Sequence, residues 1–128
     1  MEHLLYEIGN QTYAMPIERV ESIEKMVPIT RIPLQRSEHL GVAAVRNTMY
    51  TVLDTMKLLD MSSEYSEDDM LILVEGKRAF RVTEAKDIVR IEENEIQRSL
   101  EMNIWLNEGK AVPMIDLTKL GIQEEITA

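Results

Sequence analysis

The feature that most restricts this chain is the shortness of its apolar runs and the regular spacing of the breaks between them. Runs 4–8 and 12–17 flank Gly9-Asn10, runs 41–45 and 49–53 flank Arg46-Asn47-Thr48, and runs 103–106 and 111–115 flank Asn107-Glu108-Gly109-Lys110. Paired β-favouring runs about a Gly or Asn read as hairpins, because those residues tolerate the positive φ of tight turns. The run 70–74 is continuously apolar, which suits a strand buried on both faces, and Gly76-Lys77 turns it into 78–82. Many short strands without interleaved long helices point to an all-β barrel or sandwich with short helical turns.

The segments between these runs are less regular. Pro16 cannot donate to a ladder and is expected at an edge or bulge. Ile17, Val20 and Ile23 recur every third residue, as a short helical turn or a twisted edge segment would have it. Pro28 and Pro33 bracket a short extended piece. Residues 55–60 read as one helical turn with Leu58 and Leu59 inward, and 62–69, rich in Ser, Glu and Asp, as the most mobile loop. Residues 87–91 follow as a short apolar-ended run. Ile96 and Leu100, four apart in a charged stretch, predict a short surface helix over 92–100. Residues 117–120 predict a last helical turn, with Gly121 as its C-terminal cap.

An internal echo runs through the chain. Residues 51–59 align without gaps to 113–121: each is a strand end, then Asp54 or Asp116, then a turn containing Lys57 or Lys119. The Asp suits an N-cap in both copies, accepting from free backbone N–H groups of the turn that follows. Residues 13–23 resemble 80–91 more weakly. Two similar β modules, approximately 12–66 and 67–121, are the simplest reading, with terminal strands able to cross between them.

At 128 residues the chain predicts a single domain large enough to fold without a disulfide or a metal. Its 14 Lys+Arg against 23 Asp+Glu give a formal charge of −9, which argues against nucleic acid and anionic membrane surfaces as partners. No Cys is present, excluding thiolate chemistry and Cys-ligated zinc. The N-terminus lacks the pattern of a signal peptide, and no apolar run approaches the ~20 residues of a membrane span. The sequence therefore reads as a soluble, cytoplasmic domain with no direct membrane insertion.

Residues that could carry chemistry are scarce. His3 and His39 lack any nucleophile–base pattern and read as ordinary surface histidines. The glycines form no phosphate-cradling loop. The acidic clusters 67–69 and 92–95 lack the ligand spacing of a calcium loop and read as solvated charge. The nine Met suit either a small twisted core or a plastic binding surface, and with only six aromatics the core-filling reading is favoured. No catalytic residue, cofactor or metal is expected. Arg46 stands out as a lone cation between a small-residue strand and a turn, able to offer a rigid fork to carboxylates or carbonyls.

The order and spacing of Ile29-Thr30-Arg31-Ile32-Pro33, Gly41-Val42-Ala43-Ala44-Val45-Arg46 and Thr51-Val52-Leu53-Asp54 resemble the chemotaxis coupling protein family, the CheW-like domains. Tyr13, Ile17, Val20 and Ile23 match that family's opening segment, and 82–91 and 108–120 resemble its second-half motifs, the latter ending Ile115-Asp116 and Lys119-Leu120. The chain departs from the pattern at Ala44, Asn47, Thr51, Ala79 and Thr83. Asn47 replaces a glycine, and Asn is a non-glycine residue that tolerates positive φ, so the turn can survive. The resemblance implies two SH3-like five-stranded β-barrel subdomains sharing a core. It implies a non-catalytic adaptor that docks on the regulatory domain of a chemotaxis histidine kinase and on the cytoplasmic signalling tip of a chemoreceptor. An alternative is a diverged module serving another two-component or structural assembly. The partner-binding residues it implies are Arg46, Val20, Ser22, Ile23, Gly41 and Val45, with Val20 and Ile23 as apolar anchors if exposed.

Overall fold

The computed structural model describes residues 1–33 and 36–120, so the cap expected at Gly121 lies outside the described residues. Eleven strands appear in order: β1 (Glu2–Ile8), β2 (Gln11–Pro16), β3 (Val20–Lys25), β4 (His39–Val45), β5 (Thr48–Leu53), β6 (Met70–Val74), β7 (Arg78–Val82), β8 (Glu84–Arg90), β9 (Ile96–Gln97), β10 (Asn103–Asn107) and β11 (Lys110–Met114). One short helix, α1 (Thr55–Leu58), follows β5, and 3₁₀ turns occupy Ile17–Arg19, Glu93–Glu95 and Leu117–Lys119. The three expected hairpins form as β1–β2, β4–β5 and β10–β11. Pro16 is the last residue of β2, where its missing N–H breaks little.

The strands build two sheets, β8-β1-β2-β11-β10-β9 and β3-β6-β7-β5-β4. The sequence echo is repeated in this topology. In the five-stranded sheet β7 lies antiparallel to β6 and parallel to β5; in the six-stranded sheet β2 lies antiparallel to β1 and parallel to β11. Strands β1–β3 thus correspond to β6–β8, and β4–β5 to β10–β11. Each half sends its opening hairpin into the sheet that the other half completes. For that reason the chain passes from one sheet to the other between Pro16 and Val20 and between Val82 and Glu84.

Three apolar clusters fill this frame. The central one joins both sheets, with Leu4, Tyr6 and Ile8 of β1 against Ile72, Val74, Phe80 and Val82 of β6 and β7. On its other face the five-stranded sheet buries Val45, Val52, Leu71, Leu73 and Ala79; the six-stranded sheet buries Ala14, Ile91, Trp105 and Val112. β6 feeds two clusters at once, Ile72 and Val74 inward and Leu71 and Leu73 outward, as its unbroken apolar run requires. Each fully buried large apolar side chain contributes roughly 1.5–3 kcal/mol relative to exposure. Met15 and Met56 sit in the core, whereas Met49 is 58% exposed.

Several expectations are corrected. The surface helix over 92–100 is only the turn Glu93–Glu95, closed by a capping box between Glu92 and Glu95, after which the chain straightens into β9. Ile96 is drawn into the cluster around Trp105 while Leu100 is fully exposed, so the two do not share a helical face. His3 is buried, with Nδ1 3.2 Å from the Met1 carbonyl oxygen. Asp69 is buried too, paired to Arg81 at 3.0 Å, and is not solvated charge.

The segment 62–69 is stitched to the body of the protein. Asp54 caps α1 by accepting from Lys57 N–H at 3.1 Å, and it also accepts from the Ser63 hydroxyl (2.7 Å) and the Tyr65 hydroxyl. Tyr65 in turn accepts from Met56 N–H at 3.0 Å, and the Arg81 guanidinium lies 4.7 Å from its ring centre. Arg81 also donates to the Ser66 carbonyl at 2.9 Å. A stretch whose composition suggests solvent is in fact strapped down by side chains at its two ends.

Candidate functional site

The hairpin β4–β5 turns through Arg46 and Asn47, with φ of 48° and 66°. Two successive residues in the left-handed region make the turn whose twist matches the flanking strands. Asn47 accepts this readily, as its place in the sequence suggests; Arg46 does so at a cost, and its backbone is held by the ladder pair Val45↔Thr48.

This geometry sends the Arg46 side chain across the open side of the five-stranded sheet. Its Nη1 lies 2.7 Å from Glu24 Oε2, and its Nη2 donates to Ser22 Oγ at 3.3 Å. Ser22 and Glu24 stand on β3, at one edge of the sheet, and Arg46 follows β4, at the other. The pair therefore bridges the two edge strands. The guanidinium is 64% exposed, so the ion pair contributes about 1 kcal/mol or less to stability. The hydrogen bond from Arg46, then that from Ser22, holds the Glu24 carboxyl below the usual carboxylate range.

The other residues singled out from sequence have different places. Val20 and Ile23 are half-buried and pack against the central cluster. Gly41 and Val45 are buried. Gly41 has φ of 149°, and a Cβ there would stand 2.4 Å from the Thr30 carbonyl oxygen. Its lack of a side chain lets Thr30 pair with Val42 through two backbone bonds of 2.8 Å, laying the 29–33 segment along the outer edge of β4. Ser22 and Arg46, both named from the resemblance, are brought together. Glu24 was missed; it lies two residues from Ser22 on a strand, hence on the same face, and the period of two was the signal that could have found it.

Around the start of β3, Glu18, Arg19, Glu21 and Glu75 line an open hollow of about 580 Å³. Three of the four residues lining it are acidic and one, Arg19, is basic. Among the described residues no group of three or more His, Asp or Glu could hold a metal ion, and no helix is long and apolar enough to cross a membrane.

The CheW-like domain family model matches residues 2–121. A Bacillus subtilis (strain 168) relative, chemotaxis protein CheW, is 28% identical over 102 residues; the match covers 77% of this chain and 65% of the relative, so the chain spans just under two thirds of that protein's length. A Thermotoga maritima relative of the same name is 25% identical over 137 residues, covering 98% of this chain and 89% of the relative. The crystal structure of the scaffolding protein TtCheW from Thermoanaerobacter tengcongensis superposes with a TM-score of 0.80 at 22% identity, covering 90% of this chain and 88% of that one. That likeness extends to the fold and its two sheets.

Proposed function

Because the chain belongs to the CheW-like domain family, we propose that it is a non-catalytic cytoplasmic adaptor that couples the cytoplasmic tip of a chemoreceptor to a chemotaxis histidine kinase. The observation that carries this reading is the family match along residues 2–121, in a chain whose most distinctive surface group is an exposed, well-held arginine rather than a reactive constellation. In this reading Arg46 meets the receptor tip. Ser22 orients its guanidinium, and Val20 and Ile23 shape the ground beneath β3 from within. Gly41 and Val45 keep the hairpin in place. One face docks on the kinase's regulatory domain, and the protein acts by holding two partners at a fixed spacing.

The test is a three-component mixture of this protein, the kinase and receptor tips, analysed by size exclusion. All three should co-elute, and the kinase and tips should fail to do so without this protein. Arg46→Glu should weaken binding to the tips at least tenfold while the circular dichroism spectrum and binding to the kinase stay as they were. A folded Arg46→Glu protein that binds the tips normally removes Arg46 from that contact. Failure of the unaltered protein to join the other two overturns the adaptor reading itself.

A further inference from the structure

The two sheets correspond residue by residue. Leu5 stands opposite Ala14 in the β1–β2 ladder as Leu71 stands opposite Arg81 in the β6–β7 ladder. Ala14 is therefore the counterpart of Arg81, and His3, two residues before Leu5, is that of Asp69. The echo pairs Asp116 with Asp54 and Lys119 with Lys57. In the five-stranded sheet the protein fills these places itself. Arg81 pairs with Asp69 at 3.0 Å, its guanidinium lies 4.7 Å from the Tyr65 ring centre, and the Tyr65 hydroxyl donates to Asp54. In the six-stranded sheet an alanine stands where the arginine would be. A hollow of about 240 Å³ opens there, bounded by His3, Ala14, Asp116 and Lys119. Among the described residues no tyrosine lines it.

His3 brings an unmet group to this hollow. It is 4% exposed, and its Nδ1 lies 3.2 Å from the Met1 carbonyl oxygen, so Nδ1 donates and the lone pair of the neutral ring sits on Nε2. Nε2 makes no hydrogen bond among the described residues. It is not wholly buried either: the unpartnered polar atoms that are so enclosed are Thr55 Oγ1 and Trp105 Nε1. A ring this deeply set opens only on the hollow that it lines, so Nε2 faces into it. A half-enclosed acceptor without a donor is costly to keep, and few survive in folded proteins without a reason.

We propose that this hollow receives a tyrosine side chain of a protein partner, its hydroxyl donating to His3 Nε2. Ile91, Ile96 and Met114 give the hollow an apolar lining that suits a ring, and the His3 acceptor calls for a donor at the ring's tip; a phenol supplies both. A cation would meet Lys119 and Arg98, and an aliphatic hydroxyl would leave the apolar lining bare. The protein already shows the arrangement once, with the Tyr65 ring against a guanidinium and its hydroxyl on a buried polar side chain. At the hollow the half-exposed Arg98, held by Glu93, offers the guanidinium. The tyrosine does not come from a second copy of this chain, because Tyr6 is buried and Tyr13, Tyr50 and Tyr65 are partly buried, so none stands free to be inserted.

The test titrates N-acetyl-tyrosinamide into the ¹⁵N,¹³C-labelled protein and follows the His3 ring, the Ala14 amide and the methyl groups of Ile91, Ile96 and Met114. Millimolar binding is expected, with shifts centred on these residues and the His3 Nε2 resonance among those that move. N-acetyl-phenylalaninamide keeps the ring and lacks the donor, and should bind at least about fivefold more weakly. His3→Phe removes the acceptor, and the two probes should then bind alike. Ala14→Arg puts into the hollow the side chain that fills the equivalent place in the other sheet, and should weaken tyrosinamide binding at least about tenfold. Both variants are first checked for the amide dispersion of the folded protein. Absence of binding at millimolar probe, shifts on another face, equal binding of the two probes by the unaltered protein, or a tyrosine preference that survives in folded His3→Phe would each overturn the proposal. Shifts at His3 and Ala14 on concentrating the protein alone would assign the hollow to a second copy. Binding that appears only after removal of residues 122–128 would assign it to the chain's own end. Either overturns the proposal equally.

Discussion

Arg46 and Glu24 meet at 2.7 Å across the gap between β4 and β3, the two outermost strands of one sheet. Four strand-to-strand steps separate them within the sheet, yet their side chains touch because the sheet curls until its edges approach. The ion pair lies on the rim of that curl, where it holds an exposed guanidinium in one place.

This pairing sets a pH response. The folded state holds the Glu24 carboxyl below its ordinary range, so the pair's contribution is present above the unfolded value and is lost as pH falls through the lower folded value. Chemical shifts of the Glu24 carboxyl should titrate lower than those of a free glutamate. Glu24→Gln should free the Arg46 guanidinium while changing stability by about 1 kcal/mol or less. A Glu24 titration in the ordinary range would show that the pair does not persist in solution.

Gly41→Ala should be among the costliest single-methyl changes in the chain. The new Cβ would press on the Thr30 carbonyl at 2.4 Å, in a backbone region that L-residues rarely occupy. A loss of about 2 kcal/mol or more in urea unfolding is expected, with Thr30 and Val42 amides losing their exchange protection first.

The two capping aspartates should differ. Asp116 accepts from Thr118 N–H at 3.0 Å and from the Thr118 hydroxyl at 2.6 Å within one turn, and its Oδ2 lies 3.9 Å from Arg19 Nε, a loose and partly exposed ion pair. Asp54 does the corresponding work and also holds Ser63 and Tyr65, which tie down a distant stretch of chain. Asp116→Ala should cost about 1 kcal/mol, and Asp54→Ala about 2–3 kcal/mol, as read from urea midpoints.

Tyr65 supplies an alkaline counterpart. Burial, and then its hydrogen bond to Asp54, pushes its hydroxyl well above the ordinary tyrosine value. A raised folded value means its contribution is whole below the unfolded value, near 10, and is lost as pH rises beyond it. Tyr65→Phe should therefore lower stability by about 1 kcal/mol at neutral pH and flatten the fall in stability above pH ~10. An unaltered alkaline profile would assign that fall to other groups.

Much of the fold is legible in the residues because hairpins are local. Gly9, Asn47 and Gly109, the residues at these turns that best tolerate a positive φ, each adopt one. The both-face burial of β6 follows from its unbroken apolar run. What could not be read is what depends on distant pairing. Ile96 and Leu100 satisfy a helical spacing, but Ile96 gains more by joining Trp105, and no local pattern reports that. Composition marks 62–69 as solvent-loving, although Asp54 and Arg81, outside the segment, bind it down. Of the three side chains that meet across the sheet, the motifs point to Arg46 and Ser22 but not to Glu24. Gly41 and Val45 are buried and Val20 and Ile23 half-buried, and a motif does not record whether a position matters by touching a partner or by supporting a residue that does.

The crossing of the opening hairpins also bears on the order in which the protein takes shape. During synthesis β1 and β2 emerge first, yet the strands that flank them, β8 and β11, lie some seventy residues or more further along. Until those arrive, the first hairpin has an apolar face with half its neighbours missing. A chain wired this way gathers long-range contacts late, which favours slow, all-or-none folding. Neither half can finish its own sheet, so a ribosome that stalls midway leaves a product with no stable half to fall back on.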